Sequence, residues 1–166
     1  MSIKNQKPKK GLSYKQGYFK PTNPHKYVGK GALIYRSSWE LKFCIYCDTH
    51  AEVLEWSIEP QNHVIPYISA FDQKEHYYNP DFYVKIKKEK ISEEFIVEIK
   101  PKKQLRKPKK PKRLSEKAIN YYKDRAKTYI INMSKFKYAK AYAERRGMKF
   151  IYVTEDWIKK ENKLGK

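Results

Sequence analysis

Two apolar segments that each carry charge at one end constrain the fold of this chain more than any other feature. Residues 81–86 (DFYVKI) follow Asn79-Pro80, and residues 95–100 (FIVEIK) follow after a short charged loop. Because side chains alternate between the faces of a strand, Glu98 and Lys100 share one face and the apolar side chains of that segment share the other. The short connection predicts a hairpin that brings Asp81 close to Glu98.

Two carboxylates and one ammonium group beside a packed sheet indicate a specific chemistry. Carboxylate oxygens are hard ligands that suit Mg²⁺, which keeps several waters and accepts phosphate oxygens. A neighbouring lysine can orient a nucleophile or stabilise developing charge. The pattern therefore suggests metal-dependent cleavage of a phosphodiester. Two structural alternatives stay open. Glu98 and Lys100 could form the solvated face of an edge strand, and Asp81 could simply begin its own strand.

The positive charge of the chain is concentrated in two stretches. The net charge is +20, and residues 1–30 contain eight Lys and no acid, while residues 100–113 contain nine Lys or Arg and no acid. Such clustering predicts a polyanionic partner, with nucleic acid first. A membrane surface is disfavoured because the chain has no long apolar run. We expect phosphate contacts from the following cations: Arg36, Lys102, Lys103, Arg106, Lys107, Lys109, Lys110, Lys112 and Arg113.

The sequence predicts a basic, irregular N-terminal arm over residues 1–30 and a single domain over residues 31–166. The order of elements in that domain is α-β-β-β-β-α-β-α. A low-complexity Lys/Pro loop occupies residues 102–113. The helical pattern that follows, residues 115–146, carries a candidate interruption at residues 132–134.

Ser37 and Glu40 form a capping-box pattern at the start of the first helix. Glu40 therefore has two interpretations, a capping residue and a further carboxylate of the metal site, and the roles are compatible.

The two cysteines, Cys44 and Cys47, are too few for a disulfide scaffold and fall inside that helix. A zinc site with the nearby His50 and His63 is an alternative, but two buried thiols agree better with the helical position. Together with an N-terminus that lacks an apolar signal region, this favours a reducing cytoplasm, that of the host cell if the protein is viral.

Four short motifs, in this order along the chain, resemble the PD-(D/E)xK nuclease superfamily and within it the TnsA-like branch, including the head-completion nucleases of T-even-type tailed phages. They are residues 35–40 (YRSSWE), 79–82 (NPDF), 97–101 (VEIKP) and 146–150 (RGMKF). The resemblance implies an α/β, restriction-endonuclease-like fold, with a central mixed β-sheet flanked by helices.

The resemblance also implies Mg²⁺ as the cofactor, with Mn²⁺ able to substitute. Asp81, Glu98 and the Ile99 carbonyl fall at metal-ligand positions, Lys100 at the catalytic lysine and Glu40 at the helix glutamate of the family. Supporting polar positions on the following helix correspond to Asn132 and Lys135.

The implied function is trimming of packaged double-stranded DNA during head completion and head–tail joining. Capsid, portal or neck proteins of the phage are the implied partners. Two alternatives belong to other classes. The chain could be a non-catalytic DNA-binding assembly protein on a nuclease scaffold, or a basic RNA-associated protein.

Overall fold

The computed structural model of the chain describes residues 16–164, with side chains through residue 160. Eight strands and four helices follow one another along this part of the chain. The strands are β1 Gly17–Tyr18, β2 Ile34–Tyr35, β3 Val53–Ile58, β4 Ile65–Ile68, β5 Glu75–Tyr78, β6 Phe82–Lys88, β7 Ile91–Ile99 and β8 Lys149–Val153. The helices are α1 Ser38–Thr49, α2 Lys102–Leu105, α3 Glu116–Glu144 and α4 Glu155–Leu164.

The central sheet has four strands in the order β3-β6-β7-β8. Strand β6 pairs antiparallel with both β3 and β7, and β8 runs parallel to β7, so the sheet is mixed as predicted. Strands β6 and β7 form the expected hairpin, with Phe82 opposite Val97. This register sets Asp81, directly before β6, beside Glu98 on β7.

Both faces of the central sheet are covered by helices. On one face Phe82 and Val97 pack with Phe43 of α1 and Ile158 of α4. On the other face Ile96 packs with Ala143 of α3. Burial on both sides explains the continuous apolar runs at residues 82–84 of β6 and 95–97 of β7. The sheet is thus a rigid platform for side chains at its strand ends.

Helix α3 is continuous through residues 132–134, where an interruption was considered. The Ser134 hydroxyl donates to the Ile130 carbonyl (3.0 Å), and the same oxygen accepts the Ala70 N–H (3.0 Å). This polar side chain is therefore satisfied without a break in the helix. Gly147, at φ 68°, follows the helix with the left-handed backbone expected after a C-terminus.

Cys44 and Cys47 are both free and fully buried in the core beneath α1. His63 lies elsewhere, with its Nδ1 3.1 Å from the Tyr142 hydroxyl. The thiols thus behave as small apolar side chains, and their burial raises the pKa of both.

The described half of the N-terminal arm packs on the domain, although Gly17–Tyr18 and Pro24–Lys26 are the only strand and helix elements in it. Residues 1–15 of the predicted arm lie outside the described residues. Within the remainder, Phe19 and Tyr27 pack on the main core, and the Val28 N–H donates to the Trp56 carbonyl (2.9 Å). Residues 16–30 therefore belong to the domain, since their aromatic side chains cover the edge of the sheet at β3.

Buried Asp48, near the C-terminus of α1, anchors this segment. Its two carboxylate oxygens accept the N–H groups of Thr22 (2.7 Å) and Asn23 (2.9 Å). The Lys26 ammonium donates to the carbonyls of Asp48 (3.2 Å) and His50 (2.9 Å). In the part of the chain that the structure describes, no helix is long and apolar enough to cross a bilayer.

The Asp48→Ala variant tests this anchor. Loss of the carboxylate leaves two backbone N–H groups without an acceptor, so the free energy of unfolding should fall by about 1–3 kcal/mol. Urea denaturation measures the change. Asp124→Ala, at an exposed position on α3, is the control and should alter stability by less than about 0.5 kcal/mol. Equal stability of wild type and Asp48→Ala would contradict the anchoring role.

Candidate active site

The ends of β6 and β7 bring Asp81, Glu98 and Lys100 together on one face of the sheet. The Ile99 N–H donates to Asp81 Oδ2 (2.7 Å), which ties the residue before β6 to the end of β7. The Lys100 ammonium lies 2.7 Å from Glu98 Oε1. The structure thus unites the three charged groups that the strand alternation predicts.

Glu98 is held by a second donor that the sequence did not reveal. The hydroxyl of Tyr78, at the end of β5, donates to Glu98 Oε2. Both side chains are buried, Glu98 at 3% and Tyr78 at 4% exposure. With one oxygen bonded to Tyr78 and the other to Lys100, the carboxylate has a fixed orientation. Tyr78 directly precedes the Asn79-Pro80-Asp81 motif, but a tyrosine in a β-pattern is typical of core, so sequence alone does not single it out.

The site carries more negative charge than its own cations balance. Burial and then the charge of Glu98 raise the pKa of Asp81 to about 7, although Lys100 opposes the shift. Burial works against the Lys100 ammonium, but the charges of Glu98 and Asp81 outweigh it and raise its pKa. Lys100 is therefore a proton donor and a positive charge at neutral pH, while Asp81 retains a proton longer than an exposed carboxyl.

Glu40 approaches the same site from the N-terminus of α1. The Ser37 hydroxyl accepts the Glu40 N–H (3.1 Å), which is the predicted cap. The Glu40 carboxylate accepts the Arg36 N–H (2.7 Å) and the Ser37 hydroxyl (3.1 Å). Burial raises the pKa of Glu40, and its charge contributes to the raised pKa of Asp81. Capping and proximity to the site therefore coexist in one residue.

Helix α3 supplies Lys135 to the surroundings of the site. Its ammonium lies 5.6 Å from the centre of the Tyr78 ring, within the range of a cation–π contact. Burial lowers the pKa of Lys135, while the charges of Glu98 and Asp81 act in the opposite direction. Asn132, one turn earlier, is buried, and its Nδ2 has no hydrogen-bond partner among the described residues.

The donor set fits a cation that takes few protein ligands. No cluster of three or more His, Cys, Asp or Glu side chains within residues 16–160 is arranged to hold a metal ion. Asp81 and Glu98 supply carboxylate oxygens, and Asp81 Oδ1 receives no hydrogen bond from the described part of the chain. Mg²⁺ typically uses one or two carboxylates and fills its other positions with water and phosphate oxygens. The uncompensated charge at Asp81 is what such an ion would neutralise.

The predicted phosphate-binding cations divide into two groups. Arg36 makes a two-pronged pair with Glu59, at 2.7 Å and 3.1 Å, and Lys102 pairs with Asp156. Residues 102–105 form the short helix α2 instead of the start of a loop. The other cations form no ion pair with any acid that the structure describes: Lys103, Arg106, Lys107, Lys109, Lys110, Lys112 and Arg113.

Comparisons with known proteins identify the family of the chain. Residues 50–155 match the family described as TnsA-like endonuclease N terminal. The head completion nuclease of Enterobacteria phage T4 is 36% identical over 144 residues, which span 86% of this chain and 93% of that protein. No solved structure matches the chain. Asp81, Glu98 and Lys100 lie inside the family match, and Glu40 lies before it.

The raised pKa of Asp81 predicts how stability depends on pH in the absence of metal. The folded protein keeps this proton up to about pH 7, whereas the unfolded chain releases it near its ordinary pKa of 3.8. Stability is therefore lost as the pH rises through that window. Asp81→Asn removes the titration, so its stability relative to wild type should increase from pH 4.5 to pH 8.

Thermal denaturation in EDTA measures this difference. Asp124→Asn, at an exposed position, is the control and should differ from wild type by the same amount at both pH values. A stability difference between Asp81→Asn and wild type that does not change with pH would show that Asp81 is not the group responsible.

Proposed function

The chain belongs to the TnsA-like endonuclease family, and from that premise we propose that it is a Mg²⁺-dependent nuclease that cleaves double-stranded DNA. The observation that carries the proposal is the buried Glu98 carboxylate, fixed between Lys100 and Tyr78 beside an Asp81 that is hard to ionise. A purely structural sheet gains little from a buried carboxylate with a second, partly buried carboxylate beside it, because their repulsion and desolvation oppose folding. Their juxtaposition is accounted for by a bound cation.

Asp81, Glu98 and the main-chain carbonyl of Ile99 would hold the ion, with Glu40 as a further carboxylate. A bound Mg²⁺ supplies Lewis-acid stabilisation of a phosphoryl oxygen and lowers the pKa of water, and Mn²⁺ provides the same chemistry. Deprotonation of Asp81 and cation binding favour each other. Activity should consequently rise with pH across the range in which Asp81 loses its proton.

Lys100 acts through its positive charge. Since the neighbouring carboxylates raise its pKa, the ammonium stays protonated and does not serve as a general base. It can donate a hydrogen bond to the nucleophile or to the phosphate oxygen on which charge develops. Lys135 adds a second positive charge on the α3 side, and Asn132 offers a donor for water or phosphate.

The biological role that we propose follows from the phage relative. A head completion nuclease similar over most of both chains supports trimming of packaged DNA before the head joins the tail. Capsid, portal or neck proteins would then be the partners, and the host cytoplasm the place of action. The unpaired cations of residues 103–113 would contact phosphates without reading sequence.

The Glu98→Gln variant tests the catalytic assignment. Loss of the carboxylate charge should reduce Mg²⁺-dependent plasmid cleavage at least about 100-fold, while affinity for a DNA duplex stays close to that of wild type. Glu94→Gln is a matched control on the same strand, because Glu94 also accepts a tyrosine hydroxyl, that of Tyr83 (2.8 Å). Its cleavage rate should resemble that of wild type.

Two outcomes would contradict the proposal. Cleavage by Glu98→Gln at the normal rate would remove Glu98 from the site. Wild-type protein that binds duplex DNA but cleaves none with Mg²⁺ or Mn²⁺ would favour the assembly-protein alternative.

The Tyr78→Phe variant tests whether the tyrosine hydroxyl positions Glu98. Without that hydrogen bond the carboxylate can rotate, so the Mg²⁺ concentration for half-maximal cleavage should rise or turnover should fall, by about 10–100-fold. Tyr83→Phe loses an equivalent tyrosine–glutamate bond on the same sheet and should leave both quantities unchanged. Cleavage and Mg²⁺ dependence in Tyr78→Phe equal to those of wild type would exclude a positioning role.

A further inference from the structure

A cavity of about 480 Å³ lies between α2, the segment 106–109, α3 and the start of α4. Its walls are almost entirely basic, with Glu155 as the one acid among the lining residues. Six cationic side chains contribute to it: Lys102, Lys103, Arg106, Lys107, Lys109 and Arg125. Lys102, the first residue of its lining, follows Lys100 by two positions, so in the chain only Pro101 separates the cavity lining from this active-site residue.

Lys102 already contacts the two acids near this cavity, Glu155 and Asp156. The Lys102 ammonium pairs with Asp156, and its N–H donates to Glu155 Oε2 (2.9 Å). The other five lining cations form no ion pair with an acid in the described part of the chain. Six cations converge on one acid, and the repulsion among them opposes folding, so the cavity attracts a further anion.

Some cations elsewhere in the domain are paired with acids. Lys149 lies 2.5 Å from Glu93, and Lys85 lies 3.5 Å from Glu55. A second cavity, of about 1320 Å³, borders the Arg36–Glu59 pair and also contains Glu55 and Glu94. Its acids balance its cations, so it lacks a comparable attraction for anions. Of these two cavities, the smaller is therefore the one whose lining carries an excess of cations.

Arg125 is the member of this set that the sequence did not reveal, because it lies on α3 beyond the Lys/Pro segment. Its Nη2 donates to the Lys103 carbonyl (3.0 Å), and its guanidinium lies 5.8 Å from the centre of the Tyr121 ring. These two contacts hold the side chain against α2. A guanidinium has five N–H donors, so four remain for a ligand. Their planar fork matches the oxygens of a phosphate group.

We propose that this cavity, lined by Lys103, Arg106, Lys107, Lys109 and Arg125, is a phosphate-binding site that holds a DNA phosphate outside the catalytic centre. The inference rests on the proposed function, since it takes DNA to be the substrate. A phosphate bound there would fix the DNA at a point next to the strand that carries Glu98 and Lys100. Both a terminal phosphate and an internal diester have the required oxygens and charge.

The double variant Lys107→Ala/Arg125→Ala tests the site by titration with a DNA duplex in EDTA at several NaCl concentrations. Each lost phosphate contact reduces the slope of log affinity against log salt by about 1. The slope should therefore fall by about 2, and affinity at 0.1 M NaCl by at least about tenfold. The matched control, Lys117→Ala/Lys123→Ala, removes two exposed charges from α3 outside the cavity and should change both quantities much less.

Three substrates separate the two sources of phosphate. They are a linear duplex with 5′-phosphates, the same duplex without them, and a covalently closed circle. A loss of affinity confined to the phosphorylated ends identifies a terminal phosphate, whereas an equal loss on all three identifies the internal backbone. Either result supports the site. Equal weakening of binding by the cavity variant and the control variant would overturn it, because the charge would then act diffusely.

Two further measurements separate this inference from the catalytic proposal and from misfolding. Arg125→Lys keeps the charge but not the fork, so it should bind DNA with an affinity between those of wild type and Arg125→Ala, at unchanged melting temperature. Plasmid cleavage with Mg²⁺ is measured independently. A wild-type protein without cleavage, combined with the predicted binding losses, would end the nuclease proposal and leave the phosphate site standing. If cleavage is normal and the cavity variants bind DNA as tightly as wild type, the phosphate site is ruled out and the nuclease proposal stands.

Discussion

The buried carboxylate of Glu98 is the interaction on which the site depends. A carboxylate at 3% exposure is stable only if its charge is met inside the protein, and Lys100 and Tyr78 provide that partnership. Each partner comes from a different part of the fold, Lys100 from the end of β7 and Tyr78 from the β4–β5 hairpin. The sheet, the hairpin and α3 must therefore be assembled before Glu98 acquires its orientation. The side chains of the site therefore reach their positions only as the protein folds.

The negative charge of the neighbouring Asp81 carboxylate is compensated less completely. Its carboxylate accepts the Ile99 N–H but still has a raised pKa, because burial and Glu98 outweigh Lys100. The domain thus accepts an unfavourable charge at the position where the family resemblance places a metal ligand. A cation would remove that cost, so the same arrangement that weakens the metal-free fold strengthens cation binding.

Much of this arrangement could be predicted from the sequence, and the remainder depends on contacts that are distant in the chain. Alternation along β7 correctly placed Glu98 with Lys100, and the short loop correctly predicted the β6–β7 hairpin. Composition did not reveal that residues 16–30 pack on the core, because Lys, Pro and Gly outnumber the aromatic side chains that make the contacts. Tyr78 and Arg125 were missed because their roles come from partners 20 and 22 residues away. Residues so far apart share no periodicity that a pattern could detect.

Two regions of opposite charge lie at and just after the end of β7, and each suits a different ligand. At the buried Glu98 and the partly buried Asp81 negative charge is concentrated, which suits a cation and disfavours a bare phosphate. Beyond Pro101 the charge changes sign, and the cations around Arg125 outnumber the single acid of their cavity, Glu155. A polyanion would be attracted to the second region and repelled from the first until a cation lies between them. The two regions are joined in the chain by Pro101, whose ring restricts the backbone and keeps them close together. The attraction and the repulsion would therefore act on the same stretch of a bound DNA. Binding of DNA and binding of the metal should consequently reinforce each other, since each supplies the charge that the other lacks.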